Sequence, residues 1–240
     1  MKVSIVVPNY NHGTFLSTCL DSILNQTYQD YEVFICDNQS EDNSVEIASK
    51  YIEDPKFHLA IIDPHQPSGA RGINDAIRMY STGEICVWLN ADDYFKENYL
   101  STIVPYFKDP KIGFVRVAVT AWSDPGTTIV VLNLLPWNEQ ADILKCNKVY
   151  PPSPFRKQLF LDVGGIDEEA RFYDWDFWAK CAFNMHYTHA DCPKPLVVRR
   201  IHTGQWVDED EEFYEKLGQT RAKYMQDGCD YIWAKYANKS

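Results

Sequence analysis

Acidic and amide side chains stand directly after apolar runs of this sequence, where the strands of a buried sheet would leave the core. Asn9, Asp37 and Asp92 each follow such a run, and Asp93 comes directly after Asp92. Carboxylate and amide oxygens can hold a divalent cation or accept hydrogen bonds from a polar ligand. Whether these residues act together depends on the elements that carry them.

Strands and helices are predicted to alternate through the first 110 residues. The apolar runs typical of buried strands are residues 2–7, 32–36, 57–62 and 84–89, and helical spacing is found in 13–24, 45–52 and 69–80. Repeated strand–helix units of this length predict an α/β protein with a mostly parallel sheet and helices on both faces. Ligands of such sheets bind in the crevice at the carboxyl ends of the strands. We therefore expect Asn9, Asp37 and Asp92 to converge on one crevice.

The pattern changes after residue 112. Longer strands are predicted over 112–122 and 128–135, a short helix over 156–165, a helix over 174–183 and a strand over 195–202. A C-terminal helix is predicted from Val207, with an apolar face made of Phe213, Leu217, Tyr224 and Met225. We expect one domain over residues 1–206, with halves 1–110 and 111–206, followed by a helical extension over 207–240.

The composition limits the classes of function. A formal net charge of −11 argues against nucleic acid as the main partner, because nothing offsets the repulsion from phosphates. The seven cysteines are scattered and mostly lie in apolar runs, as is typical of thiols in a reducing compartment. The longest apolar stretch falls below the roughly 18 residues of a spanning helix, and the N-terminus has no signal-peptide pattern. We predict a cytoplasmic protein without a transmembrane segment.

Two stretches of the sequence resemble the family 2 glycosyltransferases of the GT-A fold. They are SIVVPNYNHGTFLSTCLDSILNQTYQDYEVFICDNQSEDNS, residues 4–44, and INDAIRMYSTGEICVWLNADD, residues 73–93, and the resemblance extends over residues 2–205. It implies a mostly parallel central sheet flanked by helices. It also implies an inverting transfer of a sugar from a nucleotide-diphosphate donor, with a UDP-sugar favoured, to a hydroxyl of a glycan or other acceptor.

The resemblance assigns a metal site to the strand-terminal acidic motif. The family motif is Asp-x-Asp, and its last Asp holds a divalent metal against the donor diphosphate. This sequence has Asn90, Ala91 and Asp92 there, so Asp92 keeps the metal role for Mn²⁺ or Mg²⁺ while Asn90 departs from the pattern. His202 resembles the late His of the family that completes the metal coordination. The alternatives are that Asp92 and Asp93 cap a helix that begins near Lys96, and that His202 is an ordinary polar residue.

The remaining donor-binding assignments also follow from the resemblance. Residues matched to the nucleobase or to the sugar-phosphate are Pro8, Asn9, Tyr10, Asp37, Asn38, Arg71 and Asn74. An acid at position 37 that accepts from N3–H of uracil would explain a preference for uridine nucleotides. The alternatives are an Asx-turn formed by Asp37 and a plain surface charge at Arg71.

The segment GGIDEEARFYDWDFW resembles the part of the family that carries the catalytic base. Aligning Trp178 with the Trp of the family motif Glu-Asp-x-Asp-Leu-Trp puts Asp174 at the base position and Tyr173 in place of the Glu. A base is needed because a sugar hydroxyl is a poor nucleophile until its proton is accepted. Asp176 is the alternative base, and a helix cap is the alternative role of Asp174. Gly164, Gly165 and Tyr173 are assigned to the acceptor, although the two glycines could simply stop a helix.

The expected partners are a nucleotide-sugar donor and a glycan or glycoconjugate acceptor. A homodimer and peripheral attachment to a membrane through a lipid-linked acceptor are further hypotheses. The rival function is a sugar-nucleotide-binding protein that has lost catalysis, which Asn90 and Tyr173 suggest. A dehydrogenase is disfavoured because no GxGxxG follows the first strand, and a nucleotidyltransferase because PNYNHG lacks a Gly-rich, Arg-containing loop. His186, His189 and Cys192 lack the second ligand pair that a zinc site requires.

Overall fold

A computed structural model of the protein describes residues 1–66, 68–123, 129–138, 140–184, 186–202 and 221–236. The strands are β1 (Val3–Asn9), β2 (Tyr31–Asp37), β3 (Phe57–Ile61), β4 (Ile85–Trp88), β5 (Tyr94–Phe95), β6 (Ile112–Ser123), β7 (Ile129–Leu132), β8 (Phe155–Arg156) and β9 (Thr188–Ile201). The helices are α1 (Gly13–Leu24), α2 (Ser44–Tyr51), α3 (Ala70–Asp75), α4 (Tyr99–Ile103), α5 (Lys157–Asp162), α6 (Tyr173–Ala182) and α7 (Arg221–Tyr236). A π-helical turn, Ala76–Tyr80, continues α3, and short 3₁₀ segments cover Val104–Lys108 and Gln140–Leu144.

The described strands form one mixed sheet in the order β3-β2-β1-β4-β8-β6-β9-β5, with β7 on β6. Its N-terminal half is parallel, since β1 pairs with both β2 and β4, and β2 pairs with β3. Strands β6 and β9 are also parallel, while β8, β5 and β7 join the sheet antiparallel. The predicted parallel sheet is therefore confirmed for β1 to β4, and the rest of the sheet is mixed.

Helices cover both faces of the sheet because the central strands are apolar on both sides. Along β1, Val3, Ile5 and Val7 point to a core that includes α1 and α4. Val6 points to the opposite core, which includes α3, α5, α6 and α7. All four side chains are fully buried, as expected for a strand at the centre of a doubly covered sheet.

The segment after Asp93 differs from the predicted helix near Lys96. Tyr94 and Phe95 instead form β5, which pairs with Val198 and Val197 of β9. Helix α4 begins only at Tyr99, and its N-cap position is Asn98. The alternative that Asp92 and Asp93 cap this helix is therefore wrong, because a strand pairing with a distant part of the chain takes precedence.

The predicted C-terminal helix is confirmed over α7. Among the α7 side chains that the structure describes, Gly228, Ile232 and Tyr236 are buried, and they are spaced four apart and therefore lie on one side. Gly228 lies so close to α6 that an added Cβ would come within 2.9 Å of Trp175. Phe213 and Leu217, and the side chains of Tyr224 and Met225, lie outside the described part of the chain. In the described residues, no helix is both long and apolar enough to cross a bilayer.

Glu32 of β2 is hydrogen-bonded both to β1 and to the turn before β4. Its carboxylate pairs with Lys2 at 2.6 Å and is 7% exposed, and it accepts hydrogen bonds from the Ser4 hydroxyl and from Thr82. Burial acts to raise the pKa of Glu32, but these bonds outweigh burial and lower the pKa to about 2. The ionised form therefore stabilises the folded state.

We expect Glu32→Gln to lower the free energy of unfolding by about 2 to 3 kcal/mol at neutral pH. Because the folded pKa lies below the unfolded one, the stabilisation is complete above about pH 4.5 and is lost as the pH falls through about 2. The difference between wild type and variant in urea unfolding should shrink over that range. Glu46→Gln, which breaks an exposed pair with Lys50, is the matched control, and an equal effect of both changes would contradict this role of Glu32.

Candidate active site

The ends of β1 and β2 meet as predicted. Asn9 is the register partner of Asp37, and its Nδ2 donates to Asp37 Oδ2 at 2.7 Å. The Ser40 backbone N–H donates to Asp37 Oδ1 at 2.8 Å, and the Ser40 hydroxyl donates to Oδ2 at 2.7 Å. The backbone bond to Asp37 comes from a residue three positions on, one more than in the Asx-turn considered as an alternative. Together the three bonds use three of the roughly four acceptor positions of a carboxylate. Asn9 Oδ1 is buried and has no hydrogen-bond partner among the described residues.

Aromatic rings lie beside this pair. Tyr10 is 43% exposed, and its ring centroid is 4.8 Å from that of His65. Pro8 underlies the loop and is so close to Gly69 that an added Cβ there would lie 2.9 Å from Pro8 Cβ. His65 could not be predicted as part of this group, because it lies in a loop with no strand or helix pattern.

Two residues that were predicted to bind the sugar donor, Asn38 and Asn74, use their side-chain amides in hydrogen bonds within the protein. Asn38 donates to the Gln66 carbonyl at 2.6 Å and accepts from the Gln66 N–H at 2.9 Å. Asn74 donates to the Ile166 carbonyl and to Glu168, and accepts from the Ile166 N–H. Their roles toward a donor remain predictions. Arg71 pairs with Asp75 one turn along at 3.6 Å, with both side chains partly exposed.

Asp92 lies beyond the end of β4, at the same edge of the sheet, and faces His202. The distance between Asp92 Oδ2 and His202 Nε2 is 3.3 Å, and each side chain is 10% exposed. Ala91 is buried, and the Asn90 carbonyl accepts from the Asp93 N–H at 3.0 Å. The predicted association of Asp92 with His202, across 110 residues of sequence, is therefore present.

His12 joins this pair and was missed by sequence reasoning. Its ring is 5.9 Å from that of His202, and Phe15 packs on His202 at 4.3 Å. Burial lowers the pKa of His12, the charges of Asp92 and Asp42 act to raise it, and His202 acts to lower it. The net lowering favours a neutral imidazole beside Asp92. Its position three residues after Asn9, in the loop that follows β1, was the sequence feature that could have indicated it.

Asp93 points away from the crevice and is held by β9. Its Oδ1 accepts from the Arg200 backbone N–H at 3.0 Å. Burial and the charge of Asp92 raise the pKa of Asp93 well above its usual range, although the Arg200 N–H and the charges of Arg199 and Arg200 act to lower it. The two adjacent acids therefore have separate surroundings, and only Asp92 faces His202.

Asp92 and His202 fit a divalent cation. Adjacent ligands of an octahedral ion with bonds of about 2.1 Å lie about 3 Å apart, close to the 3.3 Å between these two atoms. One carboxylate and one imidazole suit Mn²⁺ and tolerate Mg²⁺. Among the described residues, no group of three or more His, Cys, Asp or Glu side chains is placed to hold a metal. Oxygens of a bound diphosphate and water would have to complete the coordination.

Gly164 and Gly165 close helix α5, as their alternative interpretation predicted. The Gly165 N–H donates to the Phe160 carbonyl and the Gly164 N–H to the Leu161 carbonyl, which is the Schellman pattern. Both glycines have positive φ, 79° and 72°, a conformation that other residues adopt only with strain. Arg78 and Lys180 donate to their two carbonyls, each at 2.5 Å. A contact with an acceptor stays a prediction.

Asp174 is the second residue of α6, confirming its predicted place near a helix N-terminus. The N-cap position is Phe172 and shows no side-chain cap, so the capping alternative is wrong. Asn147 donates through Nδ2 to Asp174 Oδ2 at 3.0 Å. Burial, then the charges of Asp174 and Asp92, raise the pKa of the neighbouring Tyr173. Tyr173 therefore lies within electrostatic reach of both the predicted base and the predicted metal ligand.

Asp176 is fully buried and faces α7 instead of the crevice. The Tyr236 hydroxyl donates to Asp176 Oδ1 at 2.7 Å, and Lys235 lies 2.8 Å from the same oxygen. Lys180 is 3.4 Å from Oδ2. Residues two apart on a helix point about 200° away from each other, which is why Asp174 and Asp176 have different surroundings.

Residues 4–158 match the family model described as Glycosyl transferase family 2. An Escherichia coli protein named as a UDP-Glc:α-D-GlcNAc-diphosphoundecaprenol β-1,3-glucosyltransferase is 28% identical over 113 residues, which are 47% of this chain and 44% of that protein. Two further curated glycosyltransferases are matched over 33% and 15% of their own length. The chain thus spans less than half the length of these relatives.

Solved structures share the fold. A Staphylococcus aureus TarS fragment in complex with UDP-GlcNAc superposes with a TM-score of 0.74 at 18% identity, over 99% of this chain and 72% of that one. A mannosyltransferase of Pyrobaculum calidifontis with GDP-Man and Mn²⁺ gives 0.66 at 19% identity, over 99% and 75%. The predicted GT-A fold is therefore confirmed.

We expect Asp176→Ala to lower the free energy of unfolding by about 2 kcal/mol, because it leaves the buried Tyr236 hydroxyl without its acceptor. Lys235 keeps its second carboxylate partner, Asp167. Urea unfolding at neutral pH measures the change. The control is Asp230→Ala, which removes an exposed acceptor on α7 and should stay within about 0.5 kcal/mol of wild type. An Asp176 variant as stable as wild type would show that the contacts of Asp176 with α7 contribute nothing measurable to stability.

Proposed function

Because the chain belongs to glycosyl transferase family 2, we propose that it transfers a sugar, with inversion, from a nucleotide-diphosphate donor to an acceptor hydroxyl. One observation carries the proposal. Asp92, which faces His202 at 3.3 Å, and Asp174 in the first turn of α6 are the two charges that act on one side chain, Tyr173. An inverting transfer needs these two functions at one site: charge stabilisation on the leaving group and a base on the nucleophile.

A UDP-sugar is the favoured donor. Asp37 has about one acceptor position left after its bonds to Asn9 and Ser40, which suits the single N3–H of uracil. Tyr10 and His65 offer exposed ring surface beside it for stacking on a base. The UDP-GlcNAc complex of the similar TarS fold agrees with this choice.

The leaving diphosphate is proposed to be neutralised through Asp92 and His202. These two residues would hold Mn²⁺ or Mg²⁺, which when bound supplies positive charge to the diphosphate oxygens. The mannosyltransferase of similar fold was solved with Mn²⁺. His12, with its lowered pKa, would border this site as a neutral group and so would not compete with the cation for Asp92.

Asp174 is proposed as the base. As the acceptor oxygen attacks the anomeric carbon, Asp174 accepts its proton, and the bond from that carbon to the diphosphate breaks on the opposite face. The N-terminal position in α6 favours the ionised carboxylate, which is the form that can accept a proton. Asp176 cannot take this role without leaving its buried contacts with Tyr236 and Lys235.

The acceptor class that we propose to test first is a lipid-linked glycan. The E. coli relative is named for transfer to a diphosphoundecaprenol-linked GlcNAc. An acceptor of this kind would bring the chain to a membrane surface without a spanning helix. The rival proposal, a sugar-nucleotide-binding protein without catalysis, requires binding with no turnover.

We expect UDP binding to strengthen when Mn²⁺ is added, and we expect Asp92→Asn to abolish that gain, because the variant removes the only charged ligand of the proposed pair. Isothermal calorimetry with UDP, and with GDP for comparison, gives the affinities with and without Mn²⁺. Wild type should bind UDP more tightly than GDP.

The matched control for this measurement is Asp93→Asn. Its carboxyl group is buried against β9 with a raised pKa, so the amide resembles its protonated form and the Mn²⁺ response should persist. An equal Mn²⁺ response in wild type and in the Asp92 variant would reject the metal assignment, and tighter binding of GDP would reject the uridine preference.

We expect Asp174→Asn to keep UDP affinity and to lower turnover by roughly 10² to 10⁴. UDP released from UDP-glucose or UDP-GlcNAc, with water or an added lipid-linked acceptor, measures turnover. Asp176→Asn, which keeps an acceptor for Tyr236, should stay within a few-fold of wild type. Wild type that binds UDP and releases none from any donor would favour the binding-protein alternative.

A further inference from the structure

We propose that Asn147 is the positioning residue for the base, orienting the Asp174 carboxylate and keeping it ionised. This inference rests on the proposed role of Asp174. Asn147 Nδ2 is 3.0 Å from Asp174 Oδ2, the two residues are 27 apart in the sequence, and no motif in the sequence pointed to Asn147.

The orientation of the Asn147 amide is fixed by a second contact. Its Oδ1 accepts from the Val149 backbone N–H at 3.2 Å, and Val149 is buried. With the oxygen held by that N–H, the NH₂ group must face Asp174. The amide therefore presents a donor to the carboxylate, and a flipped amide would lose both bonds.

The segment that leads into Asn147 is hydrogen-bonded to two helices, α6 and α7. The Trp175 indole N–H donates to the Ile143 carbonyl at 2.6 Å, inside the core. The Cys229 thiol of α7 donates to the Lys145 carbonyl at 3.0 Å. Anchors to α6 and α7 leave Asn147 little freedom to move relative to Asp174, which is what a positioning role requires.

A neutral donor suits this task. A hydrogen bond to a carboxylate favours its ionised form and lowers its pKa, whereas a cation in the same place would hold the charge too firmly for proton transfer. Titratable groups on the elements that make this contact include Tyr173 on α6, Cys146 and Lys148 on either side of Asn147, and Cys229 on α7. Variants of Asn147 leave all of them in place.

The test measures the pKa of Asp174 by NMR, from the pH dependence of its side-chain carboxyl ¹³C signal in the full chain. The signal is assigned as the one that is missing from the Asp174→Asn variant. In Asn147→Ala the pKa of Asp174 should rise by about one unit. Asn147→Asp should raise it further, because an Asp can still accept from the Val149 N–H but turns a second carboxylate toward Asp174. Asn138→Ala, an exposed amide of the neighbouring segment, should leave the pKa unchanged.

The same variants are then assayed for UDP release from UDP-glucose or UDP-GlcNAc between about pH 3.5 and 8, a range that includes the ordinary pKa of an aspartate. The acidic limb of the turnover profile should move to higher pH by the same amount, with UDP affinity unchanged. An unshifted Asp174 pKa in both Asn147 variants overturns the proposal, and so does a shifted pKa with an unmoved acidic limb. If Asp174→Asn itself retains turnover, the proposed base is wrong and the function proposal fails at that earlier step.

Discussion

A carboxylate can be buried only if hydrogen bonds or a countercharge replace the water that it loses. This requirement determines the surroundings of the buried acids of the protein. Asp37 is surrounded by Asn9 and Ser40. Asp93 accepts a hydrogen bond from a backbone N–H of β9. Asp176 accepts a hydrogen bond from Tyr236 of α7 and pairs with Lys235 of the same helix. Elements from the far end of the chain are thereby fixed against the N-terminal half.

The same requirement separates acids that stand close together in the sequence. Asp92 and Asp93 are adjacent, yet one meets an imidazole at the crevice and the other a backbone N–H inside the protein. Asp174 and Asp176 are divided by the helical rotation, one beside the neutral Asn147 and the other among cations and a phenol. In each pair, the two acids therefore have different surroundings although they stand close together in the sequence.

The parts of this arrangement that depend on local pattern could be predicted from the sequence. The run from Lys2 to Val7 predicted a strand buried on both faces, and the meeting of Asn9 with Asp37 followed from parallel strands that end together. Other contacts between distant segments had no local pattern, and the contact of Asp92 with His202 was predicted only through the family resemblance. The pairing of Tyr94 with Val198 replaced a helix, and the buried face of α7 depends on where Trp175 and Asp176 stand. Asn38 and Asn74 matched donor motifs, but their amides also hold loops whose positions no local pattern specifies.

The helix that carries Asp174 is fixed by contacts from three directions. The loop before it is held by Asn74 of α3, which binds both the N–H and the carbonyl of Ile166. Its first turn is held by Asn147, and its buried side by Tyr236 of α7. The first of these contacts ties the helix to the half of the chain that holds Asp92. Because electrostatic catalysis gains most when charged groups need not reorganise during the reaction, a base held in this way keeps a constant position relative to the donor site. The family match ends at residue 158, so Asn74 and Asn147 lie inside the matched part of the chain, whereas Ile166 and Tyr236 lie beyond it.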